Sequence, residues 1–234
     1  MAFSGQQRAA IYNRGLFEET SVGLFRKKLK QEHKVMLQAE RAAGALLTEY
    51  HRATPECPEP QLWSMYDSMT AEVEVLEFLA TLVTTMKPKL IVETGAFLGV
   101  STVWMAQGLR RNGFGRILSC ELDPLMYAKA QERVAGSGVA EWIDLRNESS
   151  LEMKVEGTID LLYSDSDLAI REQEVRHFLP QVRPTGLILM HDAASHPGTV
   201  REAALRMEAE GLLSVVLLPT PRGLVVAQRR EGRR

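Results

Sequence analysis

Short apolar runs alternate with longer amphipathic stretches over the larger part of the chain. The runs have the length and composition of buried parallel strands, and five of them lie at 90–92, 116–121, 142–146, 160–165 and 187–190. Between the runs, apolar residues recur at steps of three and four, a spacing that predicts helices. The alternation of strand and helix predicts an α/β fold built on a parallel sheet.

Two further apolar runs, 212–218 and 224–227, follow near the C-terminal end. Only the five residues from Pro219 to Gly223 connect them, which is too short for a parallel crossover, so the two strands must pair antiparallel. We therefore predict a doubly wound, seven-stranded, mostly parallel sheet that ends in an antiparallel hairpin. Doubly wound domains that bind nicotinamide cofactors lack this hairpin, so its presence disfavours that class.

A different pattern covers residues 1–60. From 21 to 52 there is no proline, and apolar residues spaced by three and four predict one long helix, which the three prolines between 55 and 60 end. The apolar face of this helix must be buried on the same chain or on a second copy, and we predict a homodimer. The predicted organisation is a helical extension (1–60), an α/β domain (61–229) and a short tail (230–234).

Composition and charge narrow the functional classes. The chain has 234 residues, a net charge of -2 and a pI of about 6.2, so no nucleic acid partner is expected. Cys57 and Cys120 are isolated and lack the spacing of metal ligands. The sequence shows neither a leader nor an apolar run long enough to span a bilayer, so we expect a reduced, cytoplasmic protein with no membrane partner.

A glycine turn follows the first predicted strand and opens a helix at Val100. The turn reads Glu93-Thr-Gly95-Ala-Phe-Leu-Gly99. Backbone N–H groups at such a helix N-terminus face a ligand, and glycine lets the ligand approach closely. Phe97 occupies the place of the middle glycine in the nicotinamide pattern G-x-G-x-x-G. The carboxylate of Glu93 suits a cationic ligand group rather than a pyrophosphate.

A second acid ends the second predicted strand. Glu121 lies 22 residues after Gly99, and an acid at this place can accept hydrogen bonds from two ribose hydroxyls. Asp123 and Pro124 have the properties of an N-cap and a first helical residue, so a helix begins directly afterwards. Loop, strand and acid together indicate a cofactor that contains a ribose.

These motifs carry a resemblance to a known family. The segment from Glu93 to Gly99 resembles the first motif of class I S-adenosylmethionine-dependent methyltransferases, in the form used by the catechol O-methyltransferase-like branch of small-molecule O-methyltransferases. Glu121-Leu-Asp-Pro124 resembles the second motif, and the resemblance covers roughly residues 62–228. It implies a methyltransferase domain that transfers the methyl group of S-adenosylmethionine to a hydroxyl of a small-molecule acceptor.

The resemblance also implies which residues bind the cofactor. Glu93 corresponds to the acid that recognises the amino end of the methionine, Ser101 to the serine that holds its carboxylate, and Glu121 to the ribose acid. Asn147 replaces the glycine that usually precedes the adenine contacts. The remaining positions implied to bind the cofactor are Met69, Gly95, Gly99, Glu148, Ser149 and Asp165.

Two acids stand at the ends of the fourth and fifth predicted strands. Asp165-Ser-Asp167 resembles the Asp-x-Asp of the metal-dependent small-molecule O-methyltransferases, and Asp192 ends the fifth strand. In that family the two strands are neighbours, about 4.8 Å apart, so Asp165 and Asp192 are expected side by side. Carboxylates this close repel unless a proton or a cation joins them. The resemblance therefore implies a Mg²⁺ or Ca²⁺ ion held by both acids.

The chain also departs from the family's pattern. Ala193 stands where the family has an asparagine, and Leu168 stands where it has a lysine base. His191 or His196 can instead act as a base or complete a metal shell. Three hypotheses stay open: a metal-assisted enzyme, a metal-independent enzyme with a histidine base, and a non-catalytic module for cofactor binding or dimerisation. The candidate catalytic residues are Asp165, His191 and Asp192.

Overall fold

The computed structural model describes residues 57–65, 69–195 and 198–230. The predicted helix at 21–52, the homodimer contact assigned to it, His196 and the last four residues lie outside the described residues. The helical extension, the domain boundaries and the homodimer therefore stay predictions.

Helices and strands alternate along the described chain, as the hydrophobic pattern predicts. The α-helices are α1 (Val73–Met86), α2 (Val100–Asn112), α3 (Pro124–Gly136), α4 (Arg171–Phe178) and α5 (Thr199–Ala209). The strands are β1 (Leu90–Thr94), β2 (Arg116–Cys120), β3 (Ile143–Arg146), β4 (Ile159–Ser164), β5 (Val182–His191), β6 (Leu213–Leu218) and β7 (Leu224–Arg229). Short 3₁₀ helices occupy Pro60–Leu62, Ala140–Trp142 and Leu179–Gln181.

The seven strands form one sheet in the order β3-β2-β1-β4-β5-β7-β6. Strands β1 to β5 run parallel, while β7 pairs antiparallel with both β5 and β6. The predicted doubly wound sheet with a terminal antiparallel hairpin is therefore confirmed. The strand order reverses between β1 and β4, and open α/β sheets bind ligands at such a reversal, outside the carboxyl ends of the strands.

Central strands and the helix faces packed on them form the core. Every residue of β1 and β4 is buried, as expected for parallel strands covered on both faces. One face of α1 is buried, with Leu79 and Val83 fully enclosed. Helix α1 packs closely on α2, where a Cβ at Gly108 would lie 2.8 Å from the carbonyl oxygen of Ala80. This close packing fixes α2, the helix that the glycine turn opens.

Strand β5 is longer than the sequence predicts. The apolar run predicts a strand at 187–190, but β5 already begins at Val182. Its pairing with β4 changes register between Ile159 and Leu161. An irregular ladder of this kind accommodates proline and glycine, which a regular ladder disfavours, so Pro184 and Gly186 lie within the strand.

The helices of the described region are short. Helix α1, with 14 residues, falls below the roughly 20 residues that a helical membrane span needs. Among the residues that the structure describes, no helix combines the length and the apolar composition required to cross a bilayer.

Candidate active site

A cavity of about 860 Å³ opens at the carboxyl ends of the strands, where the strand order reverses. Its volume falls in the range of about 300–1,000 Å³ that is typical of small-molecule sites. The segments that follow β1 to β5 all contribute to its walls. The lining includes Met69, Gly95, Phe97, Glu121, Glu148, Ser149, Ser150, Asp165, Ser166, Leu168, Arg171, Asp192 and Arg222.

The glycine turn after β1 forms one wall and approaches β4 closely. Gly95, Phe97 and Gly99 all have positive φ, at 78°, 49° and 72°. A Cβ at Gly95 would lie 2.6 Å from the carbonyl oxygen of Asp165 and from the Cα of Ser166. Only glycine fits a site with positive φ and backbone at this distance, so Gly95 sets the separation between the turn and the end of β4.

Glu121, at the end of β2, presents its carboxylate to the cavity. Its Oε2 accepts a hydrogen bond from the backbone N–H of Phe97 at 2.7 Å, and its Oε1 accepts one from the N–H of Asp123 at 2.9 Å. The side-chain amide of Asn147 donates to the carbonyl oxygens of Glu121 and Leu122, at 2.8 and 3.1 Å. These contacts fix the acid relative to the glycine turn and to the segment after β3.

Glu93 of β1 is enclosed by hydroxyl groups. Its carboxylate accepts hydrogen bonds from Ser101 and Thr102 of α2, both at 2.5 Å, and from Ser119 of β2 at 2.6 Å. Burial raises the pKa of Glu93, and the three hydroxyls work against that rise. The carboxylate therefore joins β1, β2 and the first turn of α2.

Two arginines hold the acids at the ends of β4 and β5. Nη2 of Arg171 lies 3.0 Å from Oδ1 of Asp165 and 2.8 Å from Oδ2 of Asp192, so one guanidinium bridges both carboxylates. Nε of Arg222 lies 2.6 Å from Oδ1 of Asp192. Burial alone would raise the pKa of Asp192, but the positive charges of His191 and the two arginines lower it to about 2. Asp192 has a φ of 65°, a left-handed conformation that aspartate tolerates.

His191 is a buried histidine that faces two acids. Its Nε2 lies 2.7 Å from Oε2 of Glu72, and its Nδ1 lies 3.3 Å from Oδ1 of Asp165. Burial alone would lower the pKa of His191, but the charges of Asp165 and Glu72 raise it to about 10. Glu72 also accepts hydrogen bonds from the hydroxyl of Thr220 and the backbone N–H of Arg222, at 2.9 and 2.7 Å. This imidazolium therefore links the segment before α1 to the end of β5.

The carboxylate of Glu174 in α4 accepts hydrogen bonds from four hydroxyl groups. Its Oε1 accepts hydrogen bonds from Ser150 at 2.5 Å and Ser166 at 2.7 Å, and its Oε2 accepts from Thr94 and Ser164, both at 2.8 Å. The donors come from the ends of β1 and β4 and from the segments after β3 and β4. Because Ser150 and Ser166 also line the cavity, this buried carboxylate fixes two parts of its wall.

Comparison with known proteins identifies the family. A family model described as a methyltransferase domain matches residues 92–193. A protein from Mycobacterium sp. (strain JLS), named "Putative O-methyltransferase", is 30% identical over 165 residues, which cover 64% of this chain and 75% of that relative. The chain belongs to the class I O-methyltransferase family.

Two further proteins are similar to this O-methyltransferase. A protein from Niastella koreensis named "Catechol O-methyltransferase" is 28% identical over 130 residues, which cover 53% of this chain and 58% of that protein. The crystal structure of an O-methyltransferase from Bacillus cereus in complex with SAH superposes with a TM-score of 0.62 at 18% identity, over 70% of this chain and 84% of that chain. This second likeness shows the common fold.

The methyltransferase brings most of the implied cofactor residues to the cavity. Gly99 lies at the start of α2, outside the lining. Glu93 and Ser101 also lie outside it, and the Ser101 hydroxyl donates to the Glu93 carboxylate. The direct contacts with methionine that the resemblance implies for these two residues stay predictions. The implied residues that do line the cavity are Met69, Gly95, Glu121, Glu148, Ser149 and Asp165.

The implied pair of metal-binding acids is present, but its surroundings do not fit a divalent cation. Asp165, Asp192 and His191 each offer a ligand atom, and these atoms lie within 4.8 Å of one another. Each donor nevertheless has a protein partner. Arg171 bridges both carboxylates, and Oδ2 of Asp165 accepts a hydrogen bond from the Tyr163 hydroxyl at 2.9 Å. The two ring nitrogens of His191 face Glu72 at 2.7 Å and Asp165 at 3.3 Å.

His191 is also poorly placed to act as a base. Its side chain is 1% exposed, and the residue lies outside the cavity lining. A general base must be unprotonated and must reach the acceptor, whereas both nitrogens of this ring face carboxylates. The side chain of Asp165 is 14% exposed and lines the cavity, so it is the better candidate.

The residues that organise this site belong to no recognisable motif. Arg171 and Glu174 share the inward face of α4 with Phe178, at the spacing of three and four that signals burial. A charged residue at a buried position of a helix indicates that it has a partner elsewhere in the fold, because a charge without a partner is unstable in a core. Glu72 and Arg222 lie in connecting segments and carry no comparable spacing.

Proposed function

We propose that this protein transfers the methyl group of S-adenosylmethionine to a hydroxyl oxygen of a small molecule. The observation that carries the proposal is the carboxylate of Glu121, which two backbone N–H groups hold at the cavity wall beside the turn at Gly95. An acid at the end of this strand is the group that binds ribose hydroxyls in nucleotide-binding α/β units. Membership of the O-methyltransferase family supports the reaction class.

The chemistry of the lining supports this cofactor. S-adenosylmethionine carries a sulfonium and an ammonium group, which are both positively charged. The lining of the cavity contains the acids Glu121, Asp123, Asp165 and Asp167. Acidic walls attract a cation and would repel the pyrophosphate of a nicotinamide dinucleotide. The SAH complex of the Bacillus cereus protein, which has the same fold, supports the same assignment.

Each part of the cofactor has candidate partners in the lining. Glu121 would hold the ribose, Glu148 and Ser149 the adenine, and the turn at 95–97 together with Asp165 the methionine part. When bound, S-adenosylmethionine supplies an electrophilic methyl group. The chain then needs to place the acceptor oxygen in line with that group, and positioning of this kind lowers a barrier substantially without further chemistry.

Asp165 is the candidate for receiving the proton of the acceptor hydroxyl. It lies at the end of β4, and its carboxylate is fixed by Arg171 and by the hydroxyl of Tyr163. Burial raises the pKa of Tyr163 well above its ordinary value, and the charge of Asp165 adds to this rise. Tyr163 therefore stays protonated and acts as a hydrogen-bond donor to Asp165, which keeps that carboxylate oriented.

Binding experiments test the cofactor. Isothermal titration should show binding of S-adenosylhomocysteine (SAH), the product, and weaker or undetectable binding of NADH. Replacing Glu121 with Ala should raise the Kd for SAH by roughly 10- to 100-fold, since a hydrogen bond to a charged group contributes about 1.5–3 kcal/mol. The matched control is Glu141→Ala, an exposed acid outside the lining, which should leave the Kd unchanged. Tighter binding of NADH than of SAH would refute the cofactor assignment.

Turnover experiments test the reaction. Release of SAH should be measured with a panel of hydroxylated small molecules, such as catechols, other phenols and sugars. A methyl group found on an oxygen of any acceptor supports the proposal. Binding of SAH without turnover on any member of the panel would instead support a non-catalytic module of the same fold.

A further inference from the structure

We propose that the guanidinium of Arg171 takes the place of a divalent cation between Asp165 and Asp192, so that this methyltransferase needs no metal ion. For its consequence in catalysis, this inference rests on the proposed function. Its central test is metal binding, which does not depend on the identity of the acceptor or on turnover.

The contacts of Arg171 tie together the exits of β4 and β5. Its Nη2 bridges Asp165 and Asp192, at 3.0 and 2.8 Å. Its Nε and Nη2 also donate to the carbonyl oxygen of Ser166, at 2.9 and 2.6 Å, and its Nη1 donates to the carbonyl oxygen of His191. One planar cation thus satisfies acceptors from both strand ends, which is the task that a bridging metal ion performs between two carboxylates.

Arg171 is built into the fold and cannot easily leave this position. It is the first residue of α4 and is 2% exposed. Moving the guanidinium away would leave the carbonyl oxygens of Ser166 and His191 without this donor and would leave two acids facing each other. Loss of a buried partner of this kind is strongly unfavourable, so a cation entering from solvent would have to displace a side chain that is fixed on several sides.

The charges at this place are already balanced. Arg171 and Arg222 face the two aspartates, with Nε of Arg222 at 2.6 Å from Asp192. A divalent ion between Asp165 and Asp192 would add two positive charges beside a fixed guanidinium, and like charges in a poorly solvated site repel strongly. The residue after Asp192 is Ala193, which has no side-chain donor for a metal.

The consequence for the reaction follows from the position of the bridge. Arg171 lines the cavity together with Asp165, so its positive charge is present where the acceptor would bind. It is a positioning residue, because it holds Asp165 toward the cavity instead of reacting itself. A chelator cannot remove a guanidinium, and turnover should therefore be insensitive to chelator.

Titration of the full chain with Mn²⁺, followed by electron paramagnetic resonance, tests the inference. Wild type should show no stoichiometric Mn²⁺ binding, with or without SAH, and its thermal midpoint should be the same in chelator and in Mg²⁺. Arg171→Met removes the charge and keeps a long side chain. This variant should gain stoichiometric Mn²⁺ binding that wild type lacks, because two acids then face each other without their shared cation.

The matched control is Arg176→Met on the same helix. Arg176 pairs on the surface with Glu172 and Glu210, so its loss should leave Mn²⁺ binding unchanged. Stoichiometric Mn²⁺ binding by wild type that Asp192→Asn abolishes would overturn the inference. A folded Arg171→Met that gains no Mn²⁺ binding would overturn the role given to Arg171.

The metal test and the cofactor test can fail independently of each other. If Arg171→Met does not fold, the wild-type titration and the chelator test still decide whether the site takes a cation. If wild type binds neither Mn²⁺ nor SAH, the proposed function fails while the assignment of Arg171 stands. If wild type binds both Mn²⁺ and SAH, the proposed function stands, and the inference that Arg171 replaces the metal ion is wrong.

Discussion

Substitution of Gly95 by Ala tests how tightly the glycine turn is packed against the end of β4. Gly95 has a φ of 78°, and an added Cβ would lie 2.6 Å from the carbonyl oxygen of Asp165 and 2.7 Å from the backbone nitrogen of Ser166. Both neighbours are main-chain atoms of a strand end, which cannot rotate away as a flexible side chain can. The variant must therefore shift the turn or displace the backbone that carries Asp165.

The expected loss of stability has two parts. A residue with a Cβ in the left-handed conformation costs about 1–2 kcal/mol, and overpacking of a closely packed site costs typically about 1–3 kcal/mol. Gly95→Ala should therefore lower the free energy of unfolding by about 2–5 kcal/mol. For a domain of this size each kcal/mol corresponds to roughly 2–4 °C, so the midpoint of thermal unfolding should fall by roughly 4–20 °C.

Gly113→Ala is the matched control, because Gly113 has a φ of 74° and no atom within 4 Å of its added Cβ. This variant should show only the conformational part of the loss, about 1–2 kcal/mol. The measurement is urea unfolding of wild type and both variants, followed by circular dichroism. If the two variants lose the same stability, the close approach of Gly95 to β4 has no energetic weight and the argument is refuted.

Two other predictions concern the buried charges. The pKa of His191 is about 10 in the folded protein, above the ordinary value of 6.5. Protonated His191 therefore stabilises the wild type fully below pH 6.5, and this stabilisation is lost as the pH rises through 10. His191→Gln should remove this pH dependence of the free energy of unfolding. Urea unfolding at several pH values should show a steeper loss for wild type over this interval, and parallel curves would contradict the assignment. Glu174→Gln should lower the free energy of unfolding by about 1–3 kcal/mol, because an amide NH₂ then faces two of the four hydroxyl donors. Glu202→Gln, on an exposed part of α5, should change it by less than about 0.5 kcal/mol, and equal effects would reject the role of Glu174.

The sheet and the position of its cavity could be predicted because local patterns specify them. Apolar runs of strand length give β1 to β5, and the short connection after Leu218 gives the antiparallel hairpin. Residues at the carboxyl ends of neighbouring strands must lie near each other in such a sheet, so Asp165 and Asp192 were expected together. Predictions of this kind need only the order of elements along the chain.

The direction of Glu93 could not be predicted from its surroundings in sequence. Strand β1 is buried on both faces, so its residues show no alternation that would tell one side from the other. The hydroxyls that enclose Glu93 come from α2 and from β2, and their convergence depends on the packing of three elements. The carboxylate of Glu93 therefore stabilises the packing of these three elements, a role that its place in the motif does not reveal.

The replacement of an expected cation by Arg171 was also hidden from sequence reasoning. The spacing of Arg171 on α4 indicates burial, but nothing in the neighbouring sequence identifies the two strand ends that it bridges. Arg222, the second arginine that pairs with Asp192, lies 51 residues further along the chain than Arg171. Charge compensation between such distant positions becomes visible only when the fold brings them together.

The turn between β6 and β7 has a consequence for the order in which the protein matures on the ribosome. The carboxylate of Glu72 is bonded by Thr220 and by Arg222, which lie 148 and 150 residues later in the chain. The segments that form β1 to β4 emerge long before these partners are synthesised, and domains fold as the chain emerges from the N-terminal side. A nascent chain that stops short of position 222 thus has the strands of its parallel sheet but lacks one of the two arginines that pair with Asp192. Thr220 and Arg222, which are synthesised after the acids of the site, therefore complete its electrostatics.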